Sequence, residues 1–248
     1  MVGLPDIFDK YERNARLWPA LIVISPVLLA VAATLPTTGQ GMAQYAVAAA
    51  LVVAGLYALM QVVRHLGRAI EKSLWASWGG PPSTRFVLWS DSTFSSDWKE
   101  IVHSVVSSSL SIRFLSPDGE QENPSHAAKL IGDAFAQVKS VLKMEKPDGE
   151  YQTHNAEYGF ARNLLGGCIP GAVLAGLSAL WCAWFAWSEK DAWSLAGAVA
   201  SASLVLAFLG ARLLWLPSLA RIAADRYAEK AWTTFVELKR NSVKGKRK

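Results

Sequence analysis

"HNAEYGFARNLLGG", residues 154–167, is the stretch whose reading decides the fold. Its first half carries the histidine, glutamate, tyrosine and arginine of a water-facing helix. Its second half opens Asn163–Ser188, a run without a single charged residue. A hydrocarbon core of ~30 Å needs about 20 helical residues, so a helix that begins polar here runs on into a membrane span.

The same test works outward in both directions. Leu17–Val63 has no charged residue and is long enough for two spans, divided where Leu35-Pro36-Thr37-Thr38-Gly39-Gln40-Gly41 supplies turn residues; Ala192–Ala211 is also charge-free. Four transmembrane helices are therefore expected, roughly 18–36, 43–63, 165–187 and 193–215, in two hairpins with loops of about six residues. Composition agrees: of 248 residues, 52% are hydrophobic, 18% are charged and eleven are tryptophan, which places the chain towards the membrane class. Residues 1–16 carry Asp6, Asp9, Lys10, Glu12, Arg13 and Arg16 and are expected to be an amphipathic arm along the membrane, not a secretory signal.

Orientation follows from basic residues near the span ends. Lys10, Arg13 and Arg16 precede the first span, Arg64, Arg68 and Lys72 follow the second, Arg162 precedes the third, and the tail ends in Lys244, Lys246, Arg247 and Lys248. The 37–42 loop has none and 188–192 has only Lys190. Both termini and the central domain should face the cytoplasm of an inner membrane. The net charge of +5 is then mainly a topology signal, with binding of nucleic acid or anionic lipid by the tail as the alternative.

The expected organisation is an all-α membrane protein. It has an N-terminal amphipathic arm (1–17), a transmembrane hairpin (18–63), a mainly helical cytoplasmic domain (64–162), a second hairpin (163–215), and a cytoplasmic amphipathic helix with a basic tail (216–248). In the central domain, Gly79-Gly80-Pro81-Pro82 is a breaker and Arg85–Trp89 reads as a short extended run. Ser95 or Ser96 can cap a helix from about Asp97 to Leu110, with Trp98, Ile101, Val102, Val105 and Val106 at helical spacing. "SPDGEQENPSHA" (116–127) reads as a loop ending in Asn123 as cap and Pro124 at the first helical position. The following helix should bury Ala127, Ala128, Ile131, Phe135, Val138 and Leu142. In 218–240, Ile222, Tyr227, Ala231, Phe235 and Leu238 form an apolar face, to be packed on the soluble domain or laid on the membrane.

The spans carry stripes of small residues four apart: Gly167, Gly171, Ala175, Ala179 and Ala183 in the third, Ala46, Ala50, Ala54 and Ala58 in the second. Such stripes let backbones approach closely in lipid. Trp181, Trp184 and Trp187, with Trp18, Trp193 and Trp215, read as interfacial aromatics. Pro26 allows a kink in the first span. No Asp, Glu, His or Lys lies deep in a span, which speaks against ion-coupled transport. Cys168 and Cys182 lie on one helix ~21 Å apart and cannot bridge.

Catalytic and metal constellations are missing from the sequence. His65, His103, His126 and His154 are scattered, there is no phosphate loop or dinucleotide fingerprint, and a site shared by Glu120, Glu122 and His126 is weaker than a solvated loop. No enzymatic activity, catalytic residue, metal or cofactor is expected.

Three motifs carry a resemblance: "LWASWGGPPSTRFVLW" (74–89), "ENPSHA" (122–127) and "NAEYGFARNLLG" (155–166). In this order, and with the span layout, they resemble a group of bacterial four-span membrane proteins of anti-phage defence, closest to the membrane effectors of the Hailong system. In that group the position before Asn155 is often acidic, whereas this chain has His154, so an acidic role there is not carried over. The resemblance implies a homo-oligomer, a tetramer, that disrupts the membrane as a channel or pore. It implies control by single-stranded DNA oligomers, made by a partner nucleotidyltransferase, whose loss releases the effector. On that basis phosphates would meet Arg64, Arg68, Arg85, Lys99 or Arg113, and bases would stack on Trp75, Trp78 or Trp89; as residues alone, those tryptophans read first as core. A membrane-anchored sensor or scaffold that recruits a cytoplasmic partner is the alternative. Asn155, Tyr158 and Arg162 fall on one helix face at i, i+3 and i+7 and are expected to couple the soluble domain to the third span.

Overall fold

The computed structural model describes residues 9–34, 42–145 and 149–245, and the side chains of 9–34, 54–145 and 149–241. All regular structure among them is helical. The helices are α1 (Lys10–Thr34), α2 (Met42–Ser77), the short α3 (Pro82–Arg85), α4 (Ser96–Leu110), α5 (Pro117–Glu122), α6 (Pro124–Glu145), α7 (Glu150–Glu189), α8 (Ala192–Gly210) and α9 (Leu216–Gly245). A π-type turn, Ala211–Trp215, joins α8 to α9 without a break. They form two compact units, Met1–Lys72 with Ala156–Ala220, and Ser73–Asn155 with Arg221–Lys248. Relative to the expected boundaries, 64–72 and 156–162 fall in the first unit.

In the first unit, α1, α7 and the continuous α8–α9 helix are each long and apolar enough to cross a membrane. The span expected at 43–63 lies within α2, but the side chains of 43–53, and with them Ala46 and Ala50, fall outside the described residues, as does the 37–41 turn. Ala54 and Ala58 are exposed.

The arm expected at 1–17 is not separate where it is described. Asp9 caps the helix by accepting from the Glu12 N–H, Arg16 pairs with Glu12 at 2.6 Å, and α1 continues through a π-type turn, Arg13–Leu17, into the apolar run. Prolines explain how it stays satisfied. Pro19 has no N–H for the Ala15 carbonyl four residues back; the Asn163 side-chain amide of α7 donates to that carbonyl instead, at 2.7 Å. Pro26 strands the Ile22 carbonyl in the same way, and the Ser25 hydroxyl donates to it at 2.8 Å.

The link between α7 and α8 is Lys190-Asp191 alone, shorter than the expected six residues. Lys190 takes a left-handed conformation (φ 52°), and Asp191 caps α8 by accepting from the Trp193 and Ser194 N–H groups. This cap lets both helices run to their ends. α8 lies on α1, where the Ser194 hydroxyl oxygen lies 3.2 Å from the Ala33 carbonyl oxygen and Gly197 meets the Ala33 methyl and Cys182.

The second unit packs α4, α6 and the C-terminal part of α9 around Val102, Val106, Phe135, Val138, Trp232 and Phe235. Trp232 donates to the Ser83 carbonyl at 2.8 Å, so the 218–240 face packs inward through Ala231, Trp232 and Phe235, while Ile222 is exposed. Gly79 and Gly80, both at positive φ, end α2, with the Gly80 N–H reaching the Trp75 carbonyl at 2.8 Å. Arg85–Trp89 is not extended: Pro82 starts a helical turn, and the N–H groups of Phe86, Val87 and Leu88 bond back to Pro82, Thr84 and Arg85. Part of the expected 116–127 loop is also helical, because Ser116 caps α5 through the Gly119 N–H, with Pro117 at its first position. Ser95 and Asn123 cap α4 and α6 as expected.

Candidate functional site

Within the first unit, α1, α2 and α7 meet at a polar cluster. Tyr158 Oη and Arg162 Nη1, one turn apart on α7, both donate to Glu71 Oε1 of α2, each at 2.7 Å. The guanidinium also lies 5.4 Å from the Tyr158 ring centre, over its face. The Arg162 and Glu71 side chains are only 11% and 16% exposed. Asn163, 1% exposed, follows directly and holds the Ala15 carbonyl of α1.

Glycines set the distances. A methyl on Gly166 would lie 2.5 Å from the Gly67 nitrogen, and one on Gly159 would lie 2.8 Å from the Ala15 methyl. Backbones therefore cross almost in contact on both sides of α7, and the crossings bring the polar groups into register. On the far side of the same turn, Arg212, in the second π-type turn, donates to the Leu165 carbonyl at 2.9 Å. It does not snorkel away from the protein: it ties the α8–α9 helix to α7.

Two of the three expected coupling residues, Tyr158 and Arg162, are thus brought together, whereas no hydrogen bond of Asn155 joins this cluster among the described residues. Glu71 and the pairing of Asn163 were not foreseen. Arg64 and Arg68 belong to this unit too. Burial first, then the charges of Arg16 and Arg68, hold the Arg64 guanidinium below its ordinary value.

The remaining ligand candidates lie in the second unit. Lys99, 3% exposed, directs its ammonium onto the Asp91 and Trp89 carbonyls. Burial lowers its pKa, and Asp91 and Glu120 oppose the shift. Arg85 pairs with Asp91 at 3.0 Å and donates to the Trp78 carbonyl. Trp89 donates through its indole to the Leu115 carbonyl, and the buried Glu120 carboxylate accepts from the Trp89 and Ser90 N–H groups at 2.8 and 2.9 Å. Lys99, Arg85, Trp89 and the buried Trp78 are therefore framework. Arg113 is exposed and Trp75 half-buried. Glu120 is held inside while Glu122 and His126 are exposed, so the three share no site. His103 sits between the Trp89 and Phe114 rings against the Val87 carbonyl, and burial pushes its pKa down.

Among the described residues, no group of three His, Cys, Asp or Glu side chains could hold a metal ion. No family model, no curated protein and no solved structure matches the chain.

Proposed function

We propose that this chain is a ligand-controlled membrane effector that works as an oligomeric channel or pore. It would cross an inner membrane four times, with both termini and the 73–155 segment in the cytoplasm. The observation that carries the reading is α7. One unbroken helix begins with charged residues, passes the buried Glu71–Tyr158–Arg162 cluster and becomes an apolar span. In this reading the cluster is a latch: what happens to the cytoplasmic residues reaches the span through α7, and the latch sets the position of α7 against α2. The resemblance to bacterial anti-phage effectors gives the biological setting, with release from single-stranded DNA oligomers as trigger and a tetramer as the working form. Because Lys99 and Arg85 are engaged in the framework, Arg64, Arg68 and Arg113 are the stronger candidates for phosphate.

The test is ion flux from liposomes containing the full chain, with and without short single-stranded DNA. Flux that DNA suppresses supports the reading, and Arg162→Ala should conduct irrespective of DNA. Liposomes that never conduct, together with a stoichiometric cytoplasmic partner in pull-downs, would favour the anchored scaffold instead.

A further inference from the structure

The seam between α7 and α8 is not closed. It holds an open furrow of about 750 Å³, with Gly176, Ala179, Ala183, Ala198 and Ala202 among its lining and Leu180 and Leu206 as exposed walls. Among the described residues, no polar side chain lines it. A second cavity of about 580 Å³, bounded by Trp187, Lys190, Asp191 and Leu195, shares Ala183 with it. Val173 and Trp187 stand ~21 Å apart along α7 at ~1.5 Å per residue. That length covers the hydrocarbon depth of one leaflet, about half of ~30 Å, and reaches the headgroup level.

The two ends differ in chemistry. The apolar end offers only methyl and methylene groups. The mouth offers the Lys190 ammonium, which has no hydrogen bond or ion pair among the described residues, and the exposed indole of Trp187. Asp191 lies beside Lys190, but its carboxylate is taken up by the Trp193 and Ser194 N–H groups and the Ser194 hydroxyl. A positive group at headgroup level above a chain-length apolar furrow matches an amphiphile with an anionic head.

We propose that the α7–α8 seam is a seat for one membrane phospholipid, its acyl chain along the furrow and its phosphate on Lys190. The proposal rests on the reading of α7 and α8 as membrane spans. A second copy of the chain would fill the apolar furrow but would leave the cation at its mouth without a partner.

Two variants probe the two ends. A Cβ on Gly176 meets no atom within 4 Å, so Gly176→Leu starts in open space and directs an isobutyl group into the furrow. Lys190 has φ 52°, a conformation that asparagine tolerates, so Lys190→Asn removes the charge and keeps the turn. The full chain in mild detergent is titrated with phosphatidylglycerol or phosphatidylcholine and read by native mass spectrometry. The wild type should retain one phosphatidylglycerol per chain and prefer it to phosphatidylcholine. Gly176→Leu should weaken retention at least tenfold for both lipids; Lys190→Asn should erase the preference while still binding lipid. Equal lipid retention by wild type and Gly176→Leu would overturn the seat. So would oligomers of the wild type that Gly176→Leu dissociates without changing lipid retention, which would assign the furrow to a second copy. Resistance of the protein to alkaline extraction from membranes, measured in parallel, tests the spans independently of the seat.

Discussion

Asn163 does the work of a missing backbone N–H. Its amide fills the place that Pro19 leaves open at the Ala15 carbonyl, so Asn163→Leu buries that carbonyl without a donor. An orphaned buried acceptor costs about 1–3 kcal/mol, and melting of the variant in detergent should fall by several degrees. The latch is the second residue-scale case. Removing one partner of a buried pair costs roughly 3–5 kcal/mol; the slight exposure of Arg162 and Glu71 places this pair towards or below the lower end. Glu71→Gln and Arg162→Ala should each destabilise, and the double variant should lose less than their sum in a thermal double-mutant cycle. His103 gives a pH dependence. Its folded pKa lies below the ordinary His value because of burial, so the unfolded chain binds the extra proton first. Stability is complete above about pH 6.5 and is lost as pH falls from there towards the depressed folded pKa. His103→Gln should remove that slope from thermal melts collected between pH 5 and 7.5. None of these partners could be read from the sequence, because Glu71 and Arg162 lie 91 positions apart and Asn163 and Ala15 lie 148 apart.

At the scale of elements, local chemistry was legible. Ser95, Asn123 with Pro124, and the apolar faces of α4 and α6 act as their types and spacing require. The errors also have local causes. The continuous apolar run Phe86–Trp89 looks like a short strand, but Pro81-Pro82, with fixed φ, starts a helical turn, and the Ser116-Pro117 cap lies inside a Gly- and Asp-containing stretch that looks like loop. The small-residue stripe of α7 divides in two. Gly167 and Gly171 face Val23 and Phe208 at 2.7 and 2.9 Å from an added methyl, whereas Ala183 is exposed. Gly166→Ala should therefore force the α2 crossing apart and cost about 1–3 kcal/mol. The helix-neutral control Gly176→Ala meets open space and should stabilise by up to about 1 kcal/mol. Chemical-denaturation midpoints in detergent distinguish the two.

For the molecule as a whole, three of the expected apolar runs lie in helices long and apolar enough to cross a membrane, since that depends on length and charge alone. Assembly of the compact units was half legible: the apolar face of 218–240 allowed packing on the soluble domain or on the membrane, and the burial of Trp232 and Phe235 decides for packing with 73–155. The four-span topology proposed above makes a direct prediction. Cys168 and Cys182 are buried, so a cysteine introduced at Ser188 should react with impermeant maleimide added outside cells, and one at Ser125 should react only after permeabilisation. Labelling of both from outside would reject the topology.

The carbonyl of Ala15 has a consequence in time. It leaves the ribosome long before Asn163 is synthesised, so under the proposed topology the first apolar helix would enter the bilayer with an acceptor that its own turn cannot quench. Until α7 arrives, that carbonyl would keep contact with water or lipid headgroups, which would hold the N-terminal end of α1 at the interface. The third apolar helix thus completes the first, and a chain truncated before Asn163 should leave α1 shallow and open to protease near Ala15.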